Sequence, residues 1–173
     1  MSLLENDKES LARQLQTDAP WQGLLEVNYD GRETKENSLA MAQLLDSRPG
    51  SLPQNWHADN ASGGVTVIIP LVDVTHENGP TALQLGSHRY NESWPNGFIK
   101  AFRSPTRLAY PQIRKGDILV YSSRIIHRGE ANYSSASRPI LVFRYDEPAL
   151  PAPGVGLMGS QFVAFMGWVL NNE

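Results

Sequence analysis

Hydrophobic and polar positions change rhythm along the chain, dividing it into a short helical preface and a longer β-rich body. Residues 1–20 set Leu3, Leu4, Leu11 and Leu15 among Glu, Lys, Arg and Gln. That spacing predicts one or two turns of amphipathic helix ending before Pro20. Leu24 to Tyr29 reads as a first strand closed by the Asp30-Gly31 turn. Ser38 to Leu45 fits a strand or a helical turn equally, because a short apolar segment carries no decisive period. From residue 51 onward, short β-branched runs recur at Val65 to Val72, Thr81 to Leu85, Asp117 to Tyr121, Arg124 to His127 and Pro139 to Tyr145. Asn78-Gly79-Pro80, Lys115-Gly116-Asp117 and Gly129 punctuate them. The pattern predicts an antiparallel sandwich or barrel. No helical pattern of about 10 to 15 residues separates the runs, which argues against a Rossmann-type parallel sheet.

Composition narrows the picture. A length of 173 residues suits one domain, large enough to enclose a pocket without disulfides or a structural metal. The expected division is a flanking segment over 1–46, a core over 47–145 and a tail over 146–173. With 15 basic against 18 acidic residues and a net charge of -3, no nucleic-acid partner is expected. Cysteine is absent, so thiol nucleophiles, Cys-based zinc or iron–sulfur sites and disulfides are excluded. Histidine, carboxylate and hydroxyl chemistry remain. Met1 to Lys8 shows no basic cluster leading into an apolar run, so no secretory signal is expected and a cytosolic location is the default. The most apolar stretches, Val65 to Leu71 and Phe162 to Leu170, fall short of the roughly 18 residues that span a membrane. Nothing in the pattern speaks to oligomeric state.

The chain holds four histidines, at 57, 76, 88 and 127. His57 and Asp59 stand at i and i+2, which on an extended segment turns both side chains to one face. His127, on a later strand, offers a third donor from across a barrel. Two imidazoles and one carboxylate form the facial triad of non-haem Fe(II) oxygenases, with three metal positions left for other ligands. Arg138 follows eleven residues after His127, and a buried arginine presents a planar fork that fits a carboxylate such as that of 2-oxoglutarate. An HxD pair arises by chance with an expectation of about 0.2, and an Arg at that distance from another His with about the same. The two together are a coincidence of a few per cent, so spacing supports the assignment moderately.

Three ordered blocks carry a family resemblance: SRPGSLPQNWHAD (Ser47 to Asp59), VTVIIPLVDVTHENGPTALQLGSH (Val65 to His88) and KGDILVYSSRIIHRGEANYSSASRPILVFRY (Lys115 to Tyr145). In them the chain resembles the phytanoyl-CoA dioxygenase-like Fe(II) and 2-oxoglutarate-dependent oxygenases. The resemblance implies a mainly β fold: a double-stranded β-helix, that is, a jelly roll or cupin-like barrel, with one or two flanking N-terminal helices. It implies Fe(II) held by His57, Asp59 and His127, with the distal carboxylate of 2-oxoglutarate on Arg138. The implied reaction uses O2 to hydroxylate a C–H bond of a small molecule, releasing succinate and CO2. Halogenating enzymes of this fold carry a small residue where this chain has Asp59, so hydroxylation is the expected outcome. Departures from the family pattern are Leu85 for a proline, Ile68 for an aromatic near the co-substrate, and Gly129 for a serine that touches 2-oxoglutarate in some members.

Plainer readings stand beside these. The His-Asp pair could be a metal-free hydrogen-bonded cluster, which would make the chain a non-catalytic jelly-roll binding protein. Arg138 could be an ion-pair partner for Glu130. Asn132 and Ser134 are ordinary turn formers, and His76 and His88 read as structural or exposed. Trp94 to Lys115 carries Lys100, Arg103, Arg107, Arg114 and Lys115, with no acid between Ser93 and Gly116. The run could recruit an anionic substrate, but a solvated face is the favoured account. Phe98, Phe102 and Tyr110 within it line a pocket or simply pack.

Overall fold

The structure, a computed structural model, describes residues 11, 13–25, 37–60, 63–89 and 107–146. Within these, residues 13–17 form a helical turn, α1, and Gln22–Leu25 forms α2. Seven strands follow: β1 (Ser38–Ser47), β2 (Val65–Pro70), β3 (Thr81–Leu85), β4 (Arg107–Ala109), β5 (Leu119–Ser122), β6 (His127–Gly129) and β7 (Arg138–Asp146). They build a four-stranded sheet in the order β1-β7-β2-β5 and a three-stranded sheet in the order β4-β3-β6, with every pairing antiparallel. This is the mainly β, cupin-like architecture expected from the sequence. Among the described residues no helix is long and apolar enough to cross a membrane.

Strand alternation divides the core into two layers. One face of the large sheet presents Val65, Val67, Phe143 and Tyr145 to Ala19, Trp21 and Leu25 of the helical preface. Trp21 stacks on Phe143 at 5.4 Å, and its indole N–H donates to the Tyr145 hydroxyl at 2.9 Å. That hydroxyl in turn donates to the Leu15 carbonyl at 2.8 Å. Each large side chain buried in this way contributes roughly 2 kcal/mol of hydrophobic stabilisation. The opposite face packs Ile68, Tyr121, Ile140 and Val142 with Leu83 of the small sheet and with Ile125. The second layer opens into a cleft.

Several expected boundaries move. Leu24 and Leu25 are helical, not the start of a strand. Trp21 and Leu25 are both buried while Leu24 is 43% exposed, a four-residue period that suits a helix lying on a sheet. Residues 26–29 of that expected strand lie outside the described residues, as do Leu3 and Leu4, Phe98, Lys100, Phe102 and Arg103, and the tail from residue 147. Ser38 to Ser47 is a strand, because its whole length pairs with β7 from Ser38↔Asp146 to Ser47↔Arg138, across a register shift between Leu39 and Met41. The run expected as a strand over Arg124 to His127 is mostly turn. Ile125 N–H donates to the Ser122 carbonyl at 2.9 Å, and pairing begins only at His127. His127 therefore opens its strand instead of ending it. Likewise Asp117 belongs to a turn, its N–H bonded to the Arg114 carbonyl at 3.0 Å, so β5 begins at Leu119.

Candidate metal centre

His57 and Asp59 sit on an extended segment with no sheet of its own. It is held by the neighbouring β6 and by the turn before it. His57 and His127 exchange backbone hydrogen bonds of 3.0 and 2.8 Å, Gln54 N–H donates to the Gly129 carbonyl at 2.9 Å, and Asn60 N–H donates to the Ser123 carbonyl at 3.0 Å. This pairing places the two imidazoles side by side, their centroids 4.5 Å apart. Asp59 Oδ1 lies 4.0 Å from His57 Nε2 and 3.7 Å from His127 Nε2. One donor atom from each of the three residues falls within 4.8 Å of the others.

The proton positions follow from the partners. His57 Nδ1 is 2.7 Å from the Asn55 carbonyl and His127 Nδ1 is 3.0 Å from the Ile125 carbonyl. A carbonyl only accepts, so each Nδ1 carries the hydrogen and each Nε2, 4.0 and 3.7 Å from Asp59 Oδ1, is left as the unprotonated nitrogen. Backbone carbonyls that fix the tautomer in this way are a usual support for metal-binding imidazoles. Burial lowers the His127 pKa below its ordinary value and the neighbouring His57 adds to the effect, while Asp59 opposes it. A neutral imidazole is the form a metal requires. Two nitrogen lone pairs and a carboxylate oxygen, converging in a partly desolvated cleft, fit a first-row divalent ion such as Fe(II).

The cleft above this cluster has a volume of about 240 Å³. Arg138 lines it, only 3% exposed, with Nε donating to the Asn78 carbonyl at 3.1 Å and a terminal nitrogen donating to Ser47 Oγ at 2.8 Å. Burial works against the charge of this guanidinium, and Asp46 sustains it. Glu130 does not serve as its ion-pair partner, because Arg128 holds that carboxylate at 2.8 and 3.2 Å. Gly79 decides the approach of the Asn78 loop, since a Cβ there would strike the carbonyl oxygens of Glu130 and Ala131. Gly129 and Ile68, two of the departures from the family pattern, both line the cleft.

Sequence reasoning missed several neighbours of the cluster. Tyr121 is buried with its hydroxyl 3.2 Å from His127 Nε2, and burial followed by the Asp59 charge raises its pKa well above the usual phenol value. It is therefore a neutral proton donor. Thr66 donates to Asp59 Oδ2 at 2.6 Å. The available signal was strand parity: Thr66 and Ile68 share a face, and Thr66 pairs with Tyr121 across β2 and β5. Asn132, read from sequence as a plain turn former, is fully buried. Its amide donates to the Ser47 and Ala136 carbonyls at 2.7 and 2.8 Å, tying the loop before Arg138 to the end of β1. His76 is exposed near Tyr110, and Arg107, Arg114 and Lys115 are exposed as well.

Two antiparallel sheets with two imidazoles and a carboxylate facing one cleft, where the three could hold a metal ion, define the class as cupin-like β proteins. Within that class the chain belongs to the phytanoyl-CoA dioxygenase family, whose profile matches residues 21–140. It is 27% identical over 100 residues to dioxygenase cnsJ of Penicillium expansum, covering 54% of this chain and 29% of that protein. To dioxygenase hkm4 of Aspergillus hancockii it is 28% identical over 109 residues, covering 56% and 34%. The chain thus matches about a third of the length of these curated relatives. Among solved structures, HygX from Streptomyces hygroscopicus with nickel and 2-oxoglutarate bound aligns at a TM-score of 0.59 and 18% identity, covering 80% of this chain and 65% of that one. The α-ketoglutarate-dependent carbocyclase SnoK from nogalamycin biosynthesis aligns at 0.55 and 22%, covering 69% and 54%. At these identities the likeness establishes the fold.

Proposed function

We propose that the chain is a non-haem Fe(II) and 2-oxoglutarate-dependent dioxygenase that hydroxylates a C–H bond of a small molecule. The observation that carries this reading is the convergence of His57 Nε2, His127 Nε2 and Asp59 Oδ1 in the cleft that Arg138 also lines. Ferrous iron bound there with 2-oxoglutarate and O2 would supply the oxidising chemistry, with succinate and CO2 released. The protein's own residues supply the rest. His57, Asp59 and His127 hold the metal on one side only. Arg138, kept in place by Ser47 and Asn78, receives the distal carboxylate of the co-substrate. Met41, Leu45, Ile68, Ile140 and Val142 provide apolar walls that limit water near the metal.

The lining also bears on the substrate. Arg138 is the one Lys or Arg lining the cleft among the described residues, and in this reading it receives the co-substrate; Asp46 supports its charge, and Glu130 is paired with Arg128. This leaves no second lining cation among the described residues for an anionic group of the substrate. The test is anaerobic addition of Fe(II) and 2-oxoglutarate to the purified protein. A coloured chelate complex, followed by succinate release on admission of O2, is the expected result. Tight binding of neither ligand would return the chain to a non-catalytic binding role.

A further inference from the structure

The Asp59 carboxylate is held by one hydroxyl shut off from solvent, which is itself held by a second. Thr66 Oγ1 stands 2.6 Å from Asp59 Oδ2 and 3.0 Å from Ser123 Oγ, and Thr66 and Ser123 are both 0% exposed. A carboxylate only accepts, so the Thr66 proton points at Asp59. With that proton used, the Thr66 oxygen accepts from Ser123. Donation therefore runs from Ser123 to Thr66 to Asp59. Oδ2 is engaged by this chain, while Oδ1 is the oxygen that faces both imidazole Nε2 atoms, at 4.0 and 3.7 Å.

Both hydroxyls ride on well-tied backbone. Thr66 lies inside the large sheet, paired with Tyr121 on one side and Arg144 on the other. Ser123 N–H donates to the Gly64 carbonyl, and the Ser123 carbonyl accepts from Asn60 N–H, each at 3.0 Å. Ser123 is thus fastened both to the approach to β2 and to the segment that carries Asp59.

We propose that Thr66 and Ser123 are positioning residues that restrict Asp59 to binding a metal through Oδ1 alone, keeping open the coordination position a second carboxylate oxygen would take. This rests on the reading of His57, Asp59 and His127 as metal ligands and assigns the mode of the third ligand to residues outside the triad. The physical reason is the cost of releasing Oδ2. If it turned to chelate the metal, the buried Thr66 hydroxyl would exchange a carboxylate acceptor at 2.6 Å for the neutral Ser123 Oγ at 3.0 Å, and Ser123 would have to turn its own proton away, in a place that water does not reach. Without the Thr66 hydroxyl, Oδ2 is free to chelate and the carboxylate is free to swing.

Co(II) is the probe, because its visible ligand-field absorption changes position and intensity with coordination number. It would be titrated into the unmodified protein and into Thr66→Val, Thr66→Ser and Ser123→Ala, with the thermal unfolding of each metal-free protein recorded alongside. Thr66→Val is expected to weaken Co(II) binding about 10- to 100-fold and to alter the band. Thr66→Ser is expected to keep both, and Ser123→Ala to fall between. Unmodified affinity and spectrum in Thr66→Val would overturn the proposal. Weaker binding with an unchanged band would overturn the single-oxygen assignment. Should Thr66→Val fail to fold, Ser123→Ala decides, since its matching the unmodified protein in both readouts overturns the relay. Absence of Co(II) binding by the unmodified protein refutes the triad reading itself and this proposal with it.

Discussion

Strand β7 presents its two faces to two different interiors. Toward the helical preface it turns Phe143 and Tyr145, which meet Trp21 and the β2 valines in a closed apolar layer. Toward the small sheet it turns Ile140 and Val142, with Arg138 at the open end of the same row. The first face buries its aromatics, none of them more than 7% exposed, and the second leaves a cleft with a buried cation in its wall. One strand thus lines the closed layer with one parity and the cleft with the other. The two-residue period keeps these roles apart, so substitutions on the two faces should change different measurements.

The largest effect is expected at the His57, Asp59 and His127 cluster that the open face looks onto. His127→Ala removes a buried donor, and His57→Ala removes its half-buried neighbour. Either should abolish the anaerobic Fe(II)–2-oxoglutarate absorption band, since metal affinity depends on every ligand. Retention of the full band by either variant would show that the imidazole is not a ligand. Next comes the closed face. Phe143→Ala should cost about 3 to 4 kcal/mol of unfolding free energy by emptying a packed aromatic site. At temperatures where the variant stays folded, its 2-oxoglutarate affinity should remain within about twofold of the unmodified value, because the sites are well separated. Denaturant unfolding and ligand titration of one preparation check both halves.

Arg138→Lys tests the open face in the reverse sense. Lysine keeps the charge but loses the two parallel donors, so 2-oxoglutarate should bind about 10- to 100-fold more weakly, roughly 1.4 to 2.8 kcal/mol. Metal affinity measured without the co-substrate should not move. Equal 2-oxoglutarate affinity in the two proteins would make Arg138 a structural residue.

The smallest effect belongs to Tyr145→Phe, which removes the donor to the Leu15 carbonyl and the acceptor for the Trp21 indole. It should cost about 1 kcal/mol. Burial raises the folded-state pKa of Tyr145, against the opposing hydrogen bond from Trp21. A raised phenol pKa stabilises the fold fully below about pH 10, the unfolded value, and that contribution is lost as pH rises through the folded value. Tyr145→Phe should therefore lose stability less steeply above about pH 10 than the unmodified protein, as urea unfolding across that range would record.

The legible parts of this molecule are those whose signal is local. Thr81 to Leu85 is a strand with the expected ends, because Asn78-Gly79-Pro80 and Gly86 bound a short β-rich run. The HxD spacing does put His57 and Asp59 near one another, and Arg138 does open the strand that follows its loop. Elsewhere the local signal misleads. Leu24-Leu25 looks like strand but is drawn into a helix by the sheet surface that Trp21 and Leu25 cover. Ile125 and Ile126 look like strand because they are apolar, yet they are buried in and just after the turn that precedes β6. Ser38 to Leu45 carries no decisive period, since only its pairing with β7, about a hundred residues away, makes it a strand.

By itself, then, the sequence determined the donor types, the absence of thiol chemistry, the antiparallel β character, and which residues of a strand share a face once that strand exists. Those properties depend on residue identity and on a two-residue period. Tertiary structure alone decided that the segment of His57 and Asp59 pairs with the segment of Ser123 to Gly129, which turns two histidines seventy residues apart into neighbours 4.5 Å between ring centroids. It also decided that a threonine and a serine 57 residues apart stand behind Asp59. Such contacts depend on the register of long-range strand pairing. Register is chosen by the burial of whole faces, and no local pattern encodes which distant backbone will supply the partner.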